Sequence, residues 1–349
     1  AIIMNDDLIC DTVLPARQPA EREEIERLLT LCDLDYEVGV EVFVTFRQGR
    51  KLVACSGLEQ NIIKCTAIDP ELRGEAIGLK LLTEMVHIAH ERGHNHLFLY
   101  TKPENIEFFR SCGFYLLAEV PGLVAFMENT PFGLKSYRET LRKQARPGKV
   151  IGSIVMNANP FTCGHRYLVE QAASRCDWLH VFVVAEEASL FSYRDRFEMV
   201  AAGIAGIPRV TLHHGSAYMI SRATFSAYFF KDKGIVPGCC SAVDLLVFRN
   251  WIAPALGITH RFVGTEPFCR TTEKYNADMR HWLCADVSPA PPITVVEIPR
   301  TEYDAVPVSA SEVRRLLANE DFAHIAHLVP PTTLQLLQAR YAPPRVSAA

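Results

Sequence analysis

Between Met156 and His165 the chain reads Met-Asn-Ala-Asn-Pro-Phe-Thr-Cys-Gly-His. Thr162 offers a hydroxyl, His165 a ring N–H, and Gly164 a stretch of backbone with no Cβ to hold a phosphate at a distance. Donors of these kinds can answer the charge that builds on an α-phosphate as pyrophosphate departs. The segment follows an apolar run, Val150–Met156, and precedes a helical pattern, His165–Cys176, so it is expected to be the first strand-to-helix turn of a parallel sheet. Such turns hold nucleotides, because the next helix presents unpaired N–H groups and its positive dipole end. A histidine at a helix start is by itself only a cap or a surface contact. Its place after the first strand, together with Thr-x-Gly, turns it into a site. Asn157, Asn159, Pro160, Phe161 and Gly164 are the residues expected to touch the nucleotide.

A partner element is expected near the other end of the chain. In Val308-Ser309-Ala310-Ser311-Glu312-Val313-Arg314, Ser309 and Glu312 have the spacing of a capping box opening a helix that runs to Asn319. The free N–H groups of that helix, with Ser309, Ser311 and Arg314, would clamp β- and γ-phosphates, since arginine stays charged and grips phosphate with a fork. Gly264-Thr265-Glu266-Pro267 ends a later strand, and Gly264 and Glu266 are candidates for contact with adenine or ribose. The alternative for these four residues is a plain strand-ending turn. Cys163 could be read as a thioester relay, but a small packed side chain explains it more simply. His213-His214 and His324/His327 lack carboxylates at matching offsets, so no metal-ligand set is assigned.

These segments need elements to carry them. Lys135 to Lys149 is dense in Lys and Arg and ends in Pro147-Gly148, which places a joint near residue 145 and divides the chain into 1–145 and 146–349. Beyond the joint, strand runs at Val150–Met156, Trp178–Val184, Val210–His213, Thr259–Gly264 and Ile293–Ile298 alternate with helical patterns such as Arg194–Ala205. Apolar runs of that kind predict a parallel sheet covered on both faces, an α/β, doubly wound, Rossmann-like domain. Before the joint, alternating Lys51–Leu58 and Ile62–Ile68 predict antiparallel strands. A helix from Gly74 to Arg92, a strand His96–Tyr100, a helix Pro103–Ser111 and a strand Leu123–Met127 complete an α+β domain.

The bulk numbers agree with two globular domains in 349 residues, 49% hydrophobic and 22% charged. A net charge of −4 provides no chain-wide basic field for nucleic acid. No apolar run approaches the ~20 residues of a membrane span. The start, with Asp6, Asp7 and Asp11, lacks the basic residues of a signal peptide. The 11 cysteines form no C-x-x-C pair and are expected as small buried hydrophobes of a reduced compartment, Cys55 and Cys284 among them. A cytoplasmic protein is the expectation.

Thr162-Cys163-Gly164-His165 resembles the (H/T)-x-G-H signature of the HIGH-type nucleotidyltransferase superfamily, and Ser309 to Arg314 its I-S-S-T-x-x-R motif. The resemblance implies that Thr162, His165 and Arg314 are catalytic, with ATP and Mg²⁺ as expected cofactors and the ligands of the ion unassigned. In the first domain, Arg73-Gly74-Glu75-Ala76-Ile77-Gly78 resembles the (Q/R)-x-x-G-x-(G/A) loop of GNAT acetyltransferases, with Ala76 where glycine is usual. Asn105 to Phe114 resembles the same fold's N-x-x-F-F-x-x-x-G-F stretch. Arg73, Gly74, Ala76, Gly78 and Asn105 are thus implied to bind CoA or a pantetheine arm.

The domain order and the strings NPFTCGHRYLVEQA, SLFSYRDRFEMV, ATFSAYF and FVGTEP extend the likeness over essentially the whole chain. In them the chain resembles the [citrate (pro-3S)-lyase] ligase family. That family uses ATP and acetate to acetylate the thiol on the prosthetic arm of citrate lyase's acyl-carrier subunit, releasing AMP and pyrophosphate. Two other readings follow from the separate domains: an adenylyltransferase acting on a phosphopantetheine-like acceptor, and a GNAT acetyltransferase using acetyl-CoA.

Overall fold

The computed structural model describes residues 7–72, 74–185, 189–220, 236–265, 270–303 and 306–342. The chain divides into two compact units, Ala1–Ser136 with Thr224–Val243, and Tyr137–Ala223 with Asp244–Ala349. Of the basic stretch after Lys135, the part up to Arg142 is helical, in a helix spanning Gly133–Arg142. No helix of the described residues is long and apolar enough to cross a membrane.

In the first unit, β1 (Leu8–Val13), α1 (Pro19–Leu31), β2 (Val42–Gln48), β3 (Lys51–Glu59), β4 (Ile62–Ile68), α2 (Glu75–Glu91), β5 (Phe98–Thr101), α3 (Ile106–Ser111), β6 (Tyr115–Val120) and β7 (Val124–Glu128) follow in turn. The strands form a 7-stranded sheet in the order β1-β2-β3-β4-β5-β7-β6. Only β4 and β5 run parallel, and they pair just through Ile62↔Phe98 and Ile63↔Leu99. The helical spacing of Ile77, Leu81, Leu82, Met85 and Ala89 lays α2 on one face, against Val42, Val44, Val53 and Ile63. Ile25, Leu28 and Leu29 of α1 cover the other face at Phe43 and Cys55. Burial of both faces explains the apolar run of β2, and it corrects the reading of β3, which is buried at every position from Leu52 to Leu58, as an alternating strand.

The second unit opens with α4 (Gly133–Arg142), whose first residues belong to the first. There follow β8 (Ile151–Met156), α5 (Cys163–Ala173), β9 (Trp178–Val183), α6 (Tyr193–Ile204), β10 (Val210–His214), α7 (Val236–Val247, which belongs to the first unit as far as Val243), β11 (His260–Gly264), α8 (Arg270–Cys284) and β12 (Thr294–Ile298). A short hairpin of β13 (Glu302–Tyr303) and β14 (Val306–Pro307) leads into α9 (Ala310–Ala318), and α10 (Pro331–Arg340) closes the unit. The five strands are all parallel, in the order β10-β9-β8-β11-β12. This is the doubly wound sheet expected from alternating apolar runs and helices.

Chain order reverses between β8 and β11, which makes their carboxyl ends the switch point where such sheets open a crevice. The two strands pair only at His260↔Gly152 and Arg261↔Ser153. The ends at Met156 and Gly264 are therefore not laced together by the ladder, which leaves room there for a ligand.

Candidate active site

Met156 ends β8 at the switch point, and the next six residues carry the chain to Thr162, the N-cap of α5. Ala158 takes the left-handed φ of 52°, and the Asn159-Pro160 peptide is cis. Phe161 is fully buried and stacks on the His165 ring, with centroids 5.7 Å apart at 21°. A Cβ on Gly203 of α6 would fall 2.2 Å from Cε1 of Phe161, so the glycine makes the seat for that ring.

Thr162 and His165 cap one another. The Thr162 N–H donates to Nδ1 of His165 at 3.0 Å, and the His165 N–H donates to the Thr162 hydroxyl oxygen at 3.3 Å. The hydroxyl itself lies 2.9 Å from Nδ1. A backbone N–H can only donate, so Nδ1 must be an acceptor, and the proton of the neutral ring sits on Nε2. Burial, aided by the positive charge of Arg300, pushes the pKa of His165 down from 6.5 to about 4. Near pH 7 the ring is therefore a neutral donor with its Nδ1 side fixed.

This cap corrects one expectation. The first turn of α5 was expected to offer a row of unpaired N–H groups to phosphate. Instead the Thr162 and His165 N–H groups serve the mutual cap, and the Cys163 N–H donates to the Leu328 carbonyl at 2.9 Å. Among the described residues only the Gly164 N–H of that turn is left without such a bond. Gly164 also has a packing reason to lack a side chain, since a Cβ there would lie 3.2 Å from the Val308 carbonyl oxygen. Burial raises the pKa of the Cys163 thiol above its ordinary value, which suits a packed side chain and not a thiolate nucleophile.

A buried arginine fixes the loop from below. Arg196 of α6 donates through Nη1 to the Asn157 carbonyl at 2.8 Å, to the Asn157 side-chain oxygen at 3.0 Å and to the Val184 carbonyl at 2.8 Å. Its Nε donates to the Phe191 carbonyl at 3.2 Å. One guanidinium thus ties the loop after β8 to the loop after β9. Asn159 adds a second tie, accepting the Phe191 N–H at 3.1 Å. Asn157 and Asn159 are held by these bonds, and Pro160 sits between Asn159 and the buried Phe161.

The second sequence segment arrives at the same place. Val308 abuts Gly164, and Arg314 of α9 donates through Nη1 to the Asn159 carbonyl at 2.6 Å. Ser309 caps α9 by accepting the Glu312 N–H at 3.2 Å, but the Glu312 carboxylate turns to Arg315 at 2.6 Å, so the expected capping box is only half made. Ser311 is exposed, 3.4 Å from Ser309 between hydroxyl oxygens. On the far side of the crevice, Asn276 of α8 donates to the Gly264 carbonyl at 3.2 Å, and Arg300 donates through Nε to the Thr265 carbonyl at 2.9 Å. Glu266 lies outside the described residues.

In the first unit, Gly74 is the N-cap of α2 with open space where a Cβ would stand, and Ala76 is exposed beside it. Gly78 has a different setting: a Cβ there would meet the Phe108 ring at 2.4 Å, so it serves the packing of α2 on α3. Asn105 donates from its side chain to the Thr101 hydroxyl at 3.2 Å. Arg73 lies outside the described residues.

Residues 151–337 match the family model for the citrate lyase ligase C-terminal domain, and residues 10–114 that for the acetyltransferase (GNAT) family. The chain is 54% identical to the [citrate [pro-3S]-lyase] ligase of Escherichia coli strain K12 over 315 residues, covering 90% of each chain. The ligase of the same name from Klebsiella pneumoniae is 50% identical over 95% of this chain and 96% of its own. That from Haemophilus influenzae is 49% identical over 86% and 90%.

The chain belongs to the citrate lyase ligase family.

As a member of that family it is an enzyme with a GNAT-like first unit and a nucleotidyltransferase-like second. Two residues of the candidate site escaped the sequence reading. Arg196 stood in a segment like the family's, yet no spacing rule assigns a role to an arginine inside a helix. Arg300 sits in the connection after β12, outside both motifs, and only the strand order brings it to the crevice. A further expectation fails: Cys284 is exposed, its thiol bonded to the Ile293 carbonyl at 2.7 Å, while Cys55 is buried as expected. The described cysteines are all free, and the described residues hold no group of three His, Cys, Asp or Glu suited to a metal ion. His213 pairs with His180 in the interior, at 2.8 Å between ring nitrogens.

Proposed function

We propose that the second unit is an AMP-forming acid–thiol ligase site that activates acetate with ATP and passes the acetyl group to the prosthetic-group thiol of citrate lyase's acyl-carrier subunit. The mutual cap of Thr162 and His165 carries this reading, because it holds a neutral imidazole with its donor on Nε2 at the switch point of a doubly wound sheet. Membership of the citrate lyase ligase family supports the acceptor. Such a site suits ATP: it offers the Gly164 N–H, the His165 donor and the cationic Arg300 and Arg314 around one crevice. A Mg²⁺ ion, when bound, would supply further charge neutralisation on phosphate oxygens, with no cluster of protein ligands assigned to it.

In the first step an acetate oxygen attacks the α-phosphorus, and the bond to the β-phosphate oxygen breaks. The products are acetyl adenylate and pyrophosphate. Transfer of this kind requires positioning and charge neutralisation more than a protein nucleophile, which agrees with the packed state of Cys163. His165, donating from Nε2, stabilises charge on the α-phosphate without giving up its proton. In the second step the sulfur of the carrier thiolate attacks the acetyl carbonyl, the bond from carbon to the phosphate oxygen breaks, and AMP leaves. The thiol proton passes to solvent.

For the first unit we propose a binding role: it holds the CoA-like arm of the carrier at the start of α2, near Gly74 and Ala76. The deciding experiment for the ligase reading is acetate-dependent exchange of labelled pyrophosphate into ATP. Exchange that requires acetate supports it. Exchange without acetate supports an adenylyltransferase instead, and consumption of acetyl-CoA with no exchange supports a GNAT acetyltransferase.

A further inference from the structure

Arg300 belongs to neither motif, yet three observations place it at the crevice. It follows the end of β12, next to β11 in the sheet and one strand from β8. Its Nε is fixed on the Thr265 carbonyl at 2.9 Å, and its Cγ lies 3.9 Å from where a Gly264 Cβ would be. The next residue, Thr301, accepts the N–H of Val308 at 3.2 Å, and the Val308 carbonyl borders Gly164. The side chain is thus anchored at the end of β11, and the main chain next to it is tied to the segment where the two motifs meet. Its charge is close enough to His165 to disfavour protonation of that ring. A fixed cation at a nucleotide crevice, beside a donor kept neutral, has the placement that a phosphate chain requires.

We infer that Arg300 contacts phosphate in the nucleotide site, using its anchored guanidinium to neutralise the polyphosphate of ATP beside His165. The inference rests on the adenylating reading of the site. Against it stands a simpler role, in which Arg300 serves as a structural brace, as it does on the Thr265 carbonyl. The two roles differ in what they do to ligands with and without phosphate.

Calorimetric titration of the full chain with ATP and Mg²⁺, and separately with adenosine, tells them apart. For Arg300→Gln a tenfold to hundredfold loss of ATP affinity is expected, with adenosine affinity unchanged within twofold. Arg300→Lys, which keeps the charge but loses the fork, should fall between the two. ATP affinity that is unchanged, or that falls in step with adenosine affinity, overturns the inference. If Arg300→Gln does not fold, the same comparison in Arg300→Lys decides it: a loss confined to ATP supports the inference and an equal loss for both ligands overturns it. Native protein that binds no ATP overturns the adenylating reading as well. Failure of the inference alone leaves native ATP binding intact.

Discussion

Arg314 donates to the carbonyl of Asn159 at 2.6 Å, joining two segments 155 positions apart in the chain. The bond makes one site of two motifs. It also means that a change to either segment reaches the other, because the loop holding Thr162 and His165 is braced by the helix that starts at Ser309.

The cap predicts a graded series at His165 and Thr162. His165→Ala should lower acetate-dependent pyrophosphate exchange by roughly 10²- to 10³-fold, the usual effect of losing one donor to transition-state charge. Thr162→Val removes the hydroxyl and should cost about 1 kcal/mol of stability as a lost cap, whereas Thr162→Ser should retain most of both properties. Exchange rates together with urea midpoints check the series. Full exchange activity in Thr162→Val would remove the hydroxyl from the mechanism.

Gly203→Ala should destabilise the second unit by about 1–3 kcal/mol, since the new methyl would stand 2.2 Å from the Phe161 ring. Combining it with Phe161→Leu should restore part of the loss by making room. Thermal denaturation of the single and double variants measures the coupling, and strictly additive losses would mean that the contact is not the cause.

Arg196→Met should cost about 3 kcal/mol or more, because it removes a fully buried guanidinium and strips partners from the Asn157, Val184 and Phe191 carbonyls together. Arg196→Lys should rescue little, as one ammonium cannot span all three. In variants that remain folded, the Michaelis constant for ATP should rise along with a fall in turnover, since both loops would loosen.

Acid should destabilise the second unit through its buried histidines. Burial holds His180 at about 4, with Arg146 adding to the effect, and holds His213 at about 3, with His180 adding to it. Both values lie below the unfolded value of 6.5, so the unfolded chain takes up protons first. Their contribution is full above pH 6.5 and is lost as pH falls from there towards about 3. His165, at about 4, behaves likewise and stays neutral throughout the range near pH 7. Melting temperatures measured from pH 8 down to pH 4 should fall, and His180→Leu combined with His213→Leu should flatten the decline. An equal slope in that double variant would place the acid sensitivity elsewhere.

For the first unit, Ala76→Glu sets a negative charge at an exposed position of the first turn of α2 and should raise the Michaelis constant for carrier protein about tenfold or more. Acetate-dependent pyrophosphate exchange should be unchanged. Gly78 is a poor probe of the same idea, because any side chain there strikes Phe108 and tests packing instead.

The sequence alone determined the five strands of the parallel sheet and the two chemical segments, but not β1, α1, β2 or β6 of the first unit. Apolar runs such as Ile151–Met156 and Trp178–Val183 announce buried parallel strands, since a strand covered on both faces must be apolar at every position. Thr162 and His165 were legible because both halves of a cap lie within one turn of helix, where spacing in the chain equals spacing in space. The tertiary structure decided the rest, because neighbours in a sheet need not be neighbours in sequence. The order β10-β9-β8-β11-β12 set the crevice between β8 and β11. That order brought Arg300 to the site, and the packing of the helices put Arg196 beneath the loop of Asn157. It also spent on Leu328 a helix N–H that the sequence reading had assigned to phosphate. Where a donor finds its acceptor depends on which segments fold beside it, and no local pattern records that.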